Sequence, residues 1–175
     1  MIKVGSDMNA MDSLGNSPIT VSCREGNLET MKCLLSAGVD VNTCGYAGMT
    51  PLHFAAWNNH VKMIDYLVKH GADIEGRADE LATPLQYAVQ LGFIRCAKRL
   101  LESGADIETA QSDGMRPLHH AAEIGNTQML TLLLERGAMK PVKTSKGETP
   151  IDLARARHYN EIVSLLEDSD SQRKA

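Results

Sequence analysis

Apolar and polar positions along the chain repeat with one fixed period. Prolines recur every 33 residues, at Pro18, Pro51, Pro84, Pro117 and Pro150. Apolar pairs keep the same interval, at Leu34/Leu35, Leu67/Val68, Leu100/Leu101 and Leu133/Leu134. Between each proline and the next apolar pair, a third position keeps the same interval and is mostly glycine or asparagine: Gly26, Asn59, Gly92, Gly125 and His158. Because glycine and asparagine tolerate the left-handed conformation that ends helices, each period predicts two short helices. The first begins at the proline, and the second contains the apolar pair.

Polar residues around each proline predict how the first helix begins. A hydroxyl residue precedes four of the five prolines, as an N-cap does when proline is the first helical residue: Ser17, Thr50, Thr83 and Thr149. Three residues after these caps stand polar side chains that can reach back to the cap: Thr20, His53, Gln86 and Asp152. His53 is therefore interpreted as a structural cap partner rather than a catalytic or metal-binding group. Arg116 has no hydroxyl, so His119 is predicted to lose its partner there, which makes this the weakest helix start.

Small residues indicate how the helices pack. One side of the first helices carries Ala55, Ala56, Ala88, Ala121, Ala122 and Ala154, which would let neighbouring helices approach closely. No single period has an apolar face that it can bury alone, so the core is predicted to form between neighbours. Gly71 and Gly104, which follow the second helices, are predicted to adopt positive φ.

The interval of 33 residues and the segments SPIT, TPLH, TPLQ, RPLH and TPID are similar to the ankyrin-repeat family. The resemblance extends from about Gly5 to Glu167. It implies an all-α solenoid of stacked helix-turn-helix units joined by β-hairpin-like loops, with structural roles for His53 and His119. It says little about function, since ankyrin repeats serve many unrelated proteins as binding surfaces.

The periodicity also predicts the domain organisation. We expect a single domain at 1–168, with a partial repeat at 1–11 and repeats at about 12–44, 45–77, 78–110, 111–143 and 144–168, followed by a polar frayed tail at 169–175. In the last repeat Arg155 and Glu167 replace alanine and leucine, which predicts an outer face suited to water. We expect a fragment of a longer protein, the alternative being a natural start with a minimal cap.

Composition and charge narrow the function classes. The chain is 43% apolar and 23% charged, as a folded protein is, and its net charge of −4 gives no strong attraction to nucleic acid or anionic membranes. No apolar run resembles a signal peptide or a membrane span. Four scattered cysteines indicate reduced thiols and an intracellular protein, cytoplasmic or nuclear.

No motif in the sequence points to catalysis. His119 and His120 are neighbours on a helix and point about 100° apart, so they do not form a two-ligand metal face. GxSxG, Walker, GxGxxG and HExxH patterns do not occur. We therefore expect no enzymatic activity and no cofactor. Lys140, Lys143 and Lys146 form only a local basic patch, interpreted as a solvated loop.

Positions that vary among repeats while the repeating frame stays fixed are the candidate partner-binding residues. They are Tyr46, Met49, Trp57, Asn58, Arg77, Asp79, Glu80, Gln90, Leu91, Ser112, Asp113, Met115, Glu123, Ile124, Lys146 and Arg157. The apolar ones are predicted to lie on one contiguous face, which favours a binding site over ordinary surface. The acidic residues give the middle repeats a negative bias, and Lys146 and Arg157 make the last repeat basic.

We expect a non-enzymatic module that binds a protein or peptide partner on its concave face and is monomeric when isolated. One alternative is a regulatory subunit that occludes an enzyme or transcription factor, and another is a self-assembling structural protein. Trp57 is predicted to be the central anchor of the binding surface. Its alternative role is to shield a neighbour such as Tyr46 or Gln90.

Overall fold

The computed structural model describes Met8 and residues 10–168, and these form a stack of five helix pairs. The pairs, numbered here as repeats one to five, are α1 Pro18–Arg24 with α2 Leu28–Ser36, α3 Pro51–Trp57 with α4 Val61–Lys69, α5 Pro84–Gln90 with α6 Ile94–Glu102, α7 Pro117–Glu123 with α8 Thr127–Glu135, and α9 Pro150–Ala156 with α10 Asn160–Asp168. The described residues contain no strand, so the predicted all-α fold is confirmed. Most of the partial repeat predicted at 1–11, and all of the tail predicted at 169–175, lie outside the described residues.

The first helices begin at proline, as predicted, and most of the caps form the expected bonds. The Thr83 and Thr149 amides donate to the side chains of Gln86 and Asp152, each over 2.9 Å. Repeat one differs, because the Thr20 hydroxyl donates to the Ser17 carbonyl oxygen over 2.8 Å instead of reaching the cap amide. The threonine side chain is shorter than that of glutamine, and its hydroxyl can donate to the nearby carbonyl oxygen instead.

Alanines bring the first helices together and give the stack its curvature. The six predicted small residues are fully buried: Ala55, Ala56, Ala88, Ala121, Ala122 and Ala154. Successive first helices contact each other more extensively than successive second helices do. The first helices therefore lie on the concave side, and the larger side chains of the second helices hold the convex side apart. In each predicted apolar pair the first leucine is buried and the second residue is only half-buried.

Each loop that precedes a first helix closes on itself through one backbone hydrogen bond. The bond runs from an amide to the carbonyl four residues later, and it recurs at 12/16, 45/49, 78/82, 111/115 and 144/148. The loops are thus hairpin-like without forming strands. The tips of repeats three, four and five are also joined, since the Ser112 amide donates to the Glu80 carbonyl over 2.9 Å and the Ser145 amide to the Asp113 carbonyl over 2.8 Å.

The last repeat turns a polar face to solvent, as predicted. Arg155 and Glu167 are both more than half exposed, and their side chains form an ion pair over 2.7 Å. Such an exposed pair contributes little to stability. Its charged side chains present a polar surface to water at this end of the stack.

Glycines after the helices and in the loops meet two different constraints. Gly71 and Gly104 have φ of 86° and 97°, which confirms the prediction, and a Cβ at either position would meet open space. Gly114 has φ of 81°, and a Cβ there would lie 2.8 Å from the Ser145 nitrogen of the next loop.

These two constraints predict different costs for the same substitution. Gly71→Ala should lower the free energy of unfolding by about 1–2 kcal/mol, because an L side chain is strained at positive φ. Gly114→Ala should cost more, because it adds a clash with backbone to the same strain. Urea denaturation of both variants checks the order. Equal costs would show that the contact between loop tips contributes nothing.

Candidate partner-binding surface

His53 is a structural side chain that joins two repeats. Its Nδ1 accepts the Thr50 amide proton over 3.1 Å, so the neutral ring carries its proton on Nε2. Nε2 donates to the Ala82 carbonyl oxygen in the next repeat, 3.1 Å away. Burial lowers the pKa of His53 to about 4. The ring is therefore neutral at physiological pH and has no nitrogen left for a metal or substrate, which confirms the predicted role as cap partner.

His119 has the same two bonds, and the prediction that it loses its partner is wrong. The Arg116 amide donates to Nδ1 over 3.2 Å, and Nε2 lies 3.2 Å from the Glu148 carbonyl oxygen. The partner is a backbone amide, which arginine supplies as well as threonine does, so only the hydroxyl contact is missing. The Arg116 guanidinium instead pairs with Glu108 over 2.6 Å.

The concave side carries a surface that we call the groove face, made of the loop tips and the exposed side of the first helices. Trp57 is 46% exposed there and packs on Tyr87 of the next first helix, with ring centroids 5.1 Å apart and planes at 56°. Among the ring contacts of the described residues, Trp57 has none with Tyr46. Gln90 occupies the same position one repeat later, and its Nε2 lies 3.1 Å from the Nε2 of His120. The surface is therefore built from pairs of side chains 30 residues apart.

The predicted apolar residues divide into exposed and buried ones. Tyr46, Trp57, Leu91 and Ile124 are exposed. Met49 and Met115 are only 5% and 9% exposed, so the prediction that they belong to an exposed apolar patch is wrong. Both stand at the closing position of a loop, immediately before a cap, where the side chain is covered by the stack.

Several predicted polar residues bond within the chain. Arg77 donates to the carbonyl oxygens of Leu81 and Ala110 over 3.0 and 3.1 Å, which braces two loops. Glu123 and Arg157 pair with each other over 2.9 Å. The expected contrast between an acidic middle and a basic end is weaker as a result, because these two charges largely cancel. Asn58, half-buried, donates to the Phe54 carbonyl oxygen over 2.8 Å.

A groove of about 340 Å³ lies between repeats three and five. Predicted residues in its lining are Glu80, Gln90, Asp113, Met115, Glu123 and Lys146. Asp79 and Ser112 are exposed at neighbouring loop tips. Among the residues that the structure describes, no cluster of histidine, cysteine, aspartate or glutamate is suited to a metal ion.

Sequence reasoning missed several residues of the groove face. Tyr87, Gln111 and His120 form its floor, and Leu14 and Leu81 are exposed at loop tips. A signal for Tyr87 and His120 was present, since the corresponding residues in other repeats, Phe54 and Leu153, also differ. Leu81 stands where the corresponding position of the other loops is glycine.

The sequence matches the family model for ankyrin repeats in three overlapping segments, residues 1–78, 48–111 and 85–174. Each segment is longer than one 33-residue period, so three matches are compatible with five helix pairs. The chain belongs to the ankyrin-repeat family. No curated protein matches it at a significant level. None of the described helices has the length and apolar character needed to cross a membrane.

The neutral state of His53 predicts a specific loss of stability in acid. The unfolded ring binds a proton as the pH falls below 6.5, whereas the folded ring resists protonation until about pH 4. The stabilisation is therefore complete above pH 6.5 and is lost between pH 6.5 and 4, by about 3 kcal/mol. His53→Gln should remove this dependence and still fold, because Gln86 makes the equivalent bonds in repeat three.

Urea denaturation of both proteins between pH 7.5 and 4.5 measures the effect. The difference in unfolding free energy between wild type and variant should shift in favour of the variant as the pH falls. Groups shared by the two proteins, including His119 and His120, cancel in this comparison. A difference that does not change with pH would contradict the neutral, buried state of His53.

Proposed function

We propose that this chain is a non-enzymatic protein–protein interaction module that binds a protein or peptide partner on the groove face. Ankyrin repeats are generally modules of this kind. The observation that carries the proposal is the distribution of exposed apolar side chains. Eight large apolar residues are exposed in the described chain, and six of them lie on the groove face: Leu14, Tyr46, Trp57, Leu81, Leu91 and Ile124. Such clustering is typical of a binding surface.

The surface is also held in place before any partner arrives. The His53 and Gln86 side chains fix the loops of repeats three and four against the first helices. Arg77 bonds two loop carbonyls, and Trp57 rests on Tyr87. Because little needs to be ordered on binding, more of the contact energy remains as affinity.

We also propose that the chain catalyses no reaction and that it is located inside the cell. The buried histidines of the first helices are engaged in structural bonds, which supports a role without catalysis. Cys33 and Cys44 are exposed free thiols, which supports a reducing compartment.

Replacing the exposed tryptophan should separate binding from folding. Trp57→Ala should leave the unfolding free energy close to that of wild type, since the side chain is nearly half exposed. It should weaken partner binding by about 2 kcal/mol or more, about thirtyfold, as truncation of an aromatic anchor does. Tyr66→Ala is the matched control, because Tyr66 is an aromatic residue of the convex helix α4 that stacks on His70.

Proteins captured from a cell lysate by the wild type and by Tyr66→Ala, but not by Trp57→Ala, are the specific partners, and titration calorimetry then gives the affinities. The activity of a captured enzyme or transcription factor, with and without the chain, shows whether binding inhibits it. The proposal fails if Trp57→Ala unfolds as a core variant does, or if it retains all partners.

A further inference from the structure

Asp79, Glu80 and Asp113 are exposed at successive loop tips of the groove face, and they take part in none of the ion pairs among the described residues. The nearby Arg77 is bonded to carbonyl oxygens instead. The guanidinium keeps its positive charge, but three carboxylates outnumber it, so a net negative charge remains along this edge. In a binding surface such charge favours a partner of opposite sign and accelerates the encounter.

The paired rings of Trp57 and Tyr87 lie beside this edge. His53 links them to it, because its ring lies 5.7 Å from the Tyr87 ring and its Nε2 bonds to Ala82, the residue that follows the turn Asp79–Leu81. The pKa of Tyr87 is raised by burial and also by the charges of Asp79 and Glu80. Tilted aromatic faces next to carboxylates form a site at which a cation is attracted by both.

Leu81 is the third observation, and it is independent of the first two. Its φ is 62°, in the left-handed region that disfavours a leucine, and Glu80 before it has φ of 59°. The corresponding residues of the other loops also have positive φ but are glycines: Gly15, Gly48, Gly114 and Gly147. Leu81 is 51% exposed, so packing offers little compensation for the strain. A strained, exposed apolar side chain of this kind points to a functional contact.

We propose that the groove face binds an extended partner segment that places a lysine or arginine side chain on the Trp57–Tyr87 ring pair, beside Asp79 and Glu80, and an adjoining apolar side chain against Leu81. This inference rests on the proposed function and specifies the chemistry of the partner. An acidic or phosphorylated segment would bring like charges together at the same edge, so the proposal does not predict binding of such a segment.

A peptide selection tests the inference before any natural partner is identified. The probe is a random library of twelve-residue peptides displayed on phage and selected on the immobilised wild-type chain, with Trp57→Ala for counter-selection. Enriched peptides should carry lysine or arginine next to an apolar residue. Their affinities are measured with synthetic peptides, using the fluorescence of the single tryptophan, Trp57, which lies in the site.

Two substitutions probe the carboxylate edge and the strained residue. Glu80→Lys should weaken peptide binding at least tenfold while the chain stays folded, because Lys146 occupies the corresponding loop position of repeat five. Glu135→Lys makes the same charge change at an exposed residue of α8 and should alter the affinity less than twofold. Leu81→Gly should raise the thermal midpoint of the chain and still weaken binding at least tenfold. A purely structural role for Leu81 would not lower affinity while stability increases.

The outcomes separate this inference from the proposed function. Enriched peptides that depend on Trp57 but are neutral or acidic would overturn the inference and leave the proposed function standing. Equal effects of Glu80→Lys and Glu135→Lys would overturn it as well, and so would unchanged affinity in Leu81→Gly. If no peptide is enriched, or if no enriched peptide depends on Trp57, the inference is overturned, because it requires an extended segment that binds there. The proposed function is decided separately, by the lysate capture with Trp57→Ala.

Discussion

One polar side chain in the first turn of each central first helix holds the stack together. His53, Gln86 and His119 each accept the amide of their own cap and bond to a carbonyl oxygen of the next repeat. The side chain therefore satisfies a helix end and aligns two repeats at once. This side chain is buried between alanine-lined helices, where an unpaired polar atom would be costly. Its hydrogen-bonding atoms all find partners only when the repeats are stacked.

The same bonds explain why the loops can display side chains without losing their shape. Each tip is closed by its own backbone bond. The tips of repeats three to five are also fixed at the base by the histidine or glutamine of the preceding repeat, and backbone bonds join these three tips to one another. The residues at the tip are then free to vary. This division between a fixed frame and variable positions places aromatic, acidic and apolar side chains on one concave surface.

Much of the fold follows from the sequence, because the caps, the small residues and the helix ends each recur in phase. The site is less predictable. Met49 varies among repeats and so resembles a surface residue, although it closes a loop and lies in the core. The position of Tyr87 in its helix does not indicate that Trp57 of the preceding repeat rests on it. The His119 cap shows that the amide matters more than the hydroxyl, and arginine shares the amide. Periodicity identifies the frame, whereas contacts between repeats require coordinates.

The pairing of residues 30 positions apart has a consequence for how such a protein changes over time. Each contact patch on the groove face belongs to a junction between two repeats and not to either repeat alone. Removing the segment 78–110 would leave the frame intact, because the Met115 carbonyl would then replace the Ala82 carbonyl as the hydrogen-bond acceptor of His53. It would also set Trp57 opposite His120 in place of Tyr87. Gain or loss of one unit by recombination thus creates a patch that neither parent possessed, so new specificity can arise without a single point mutation.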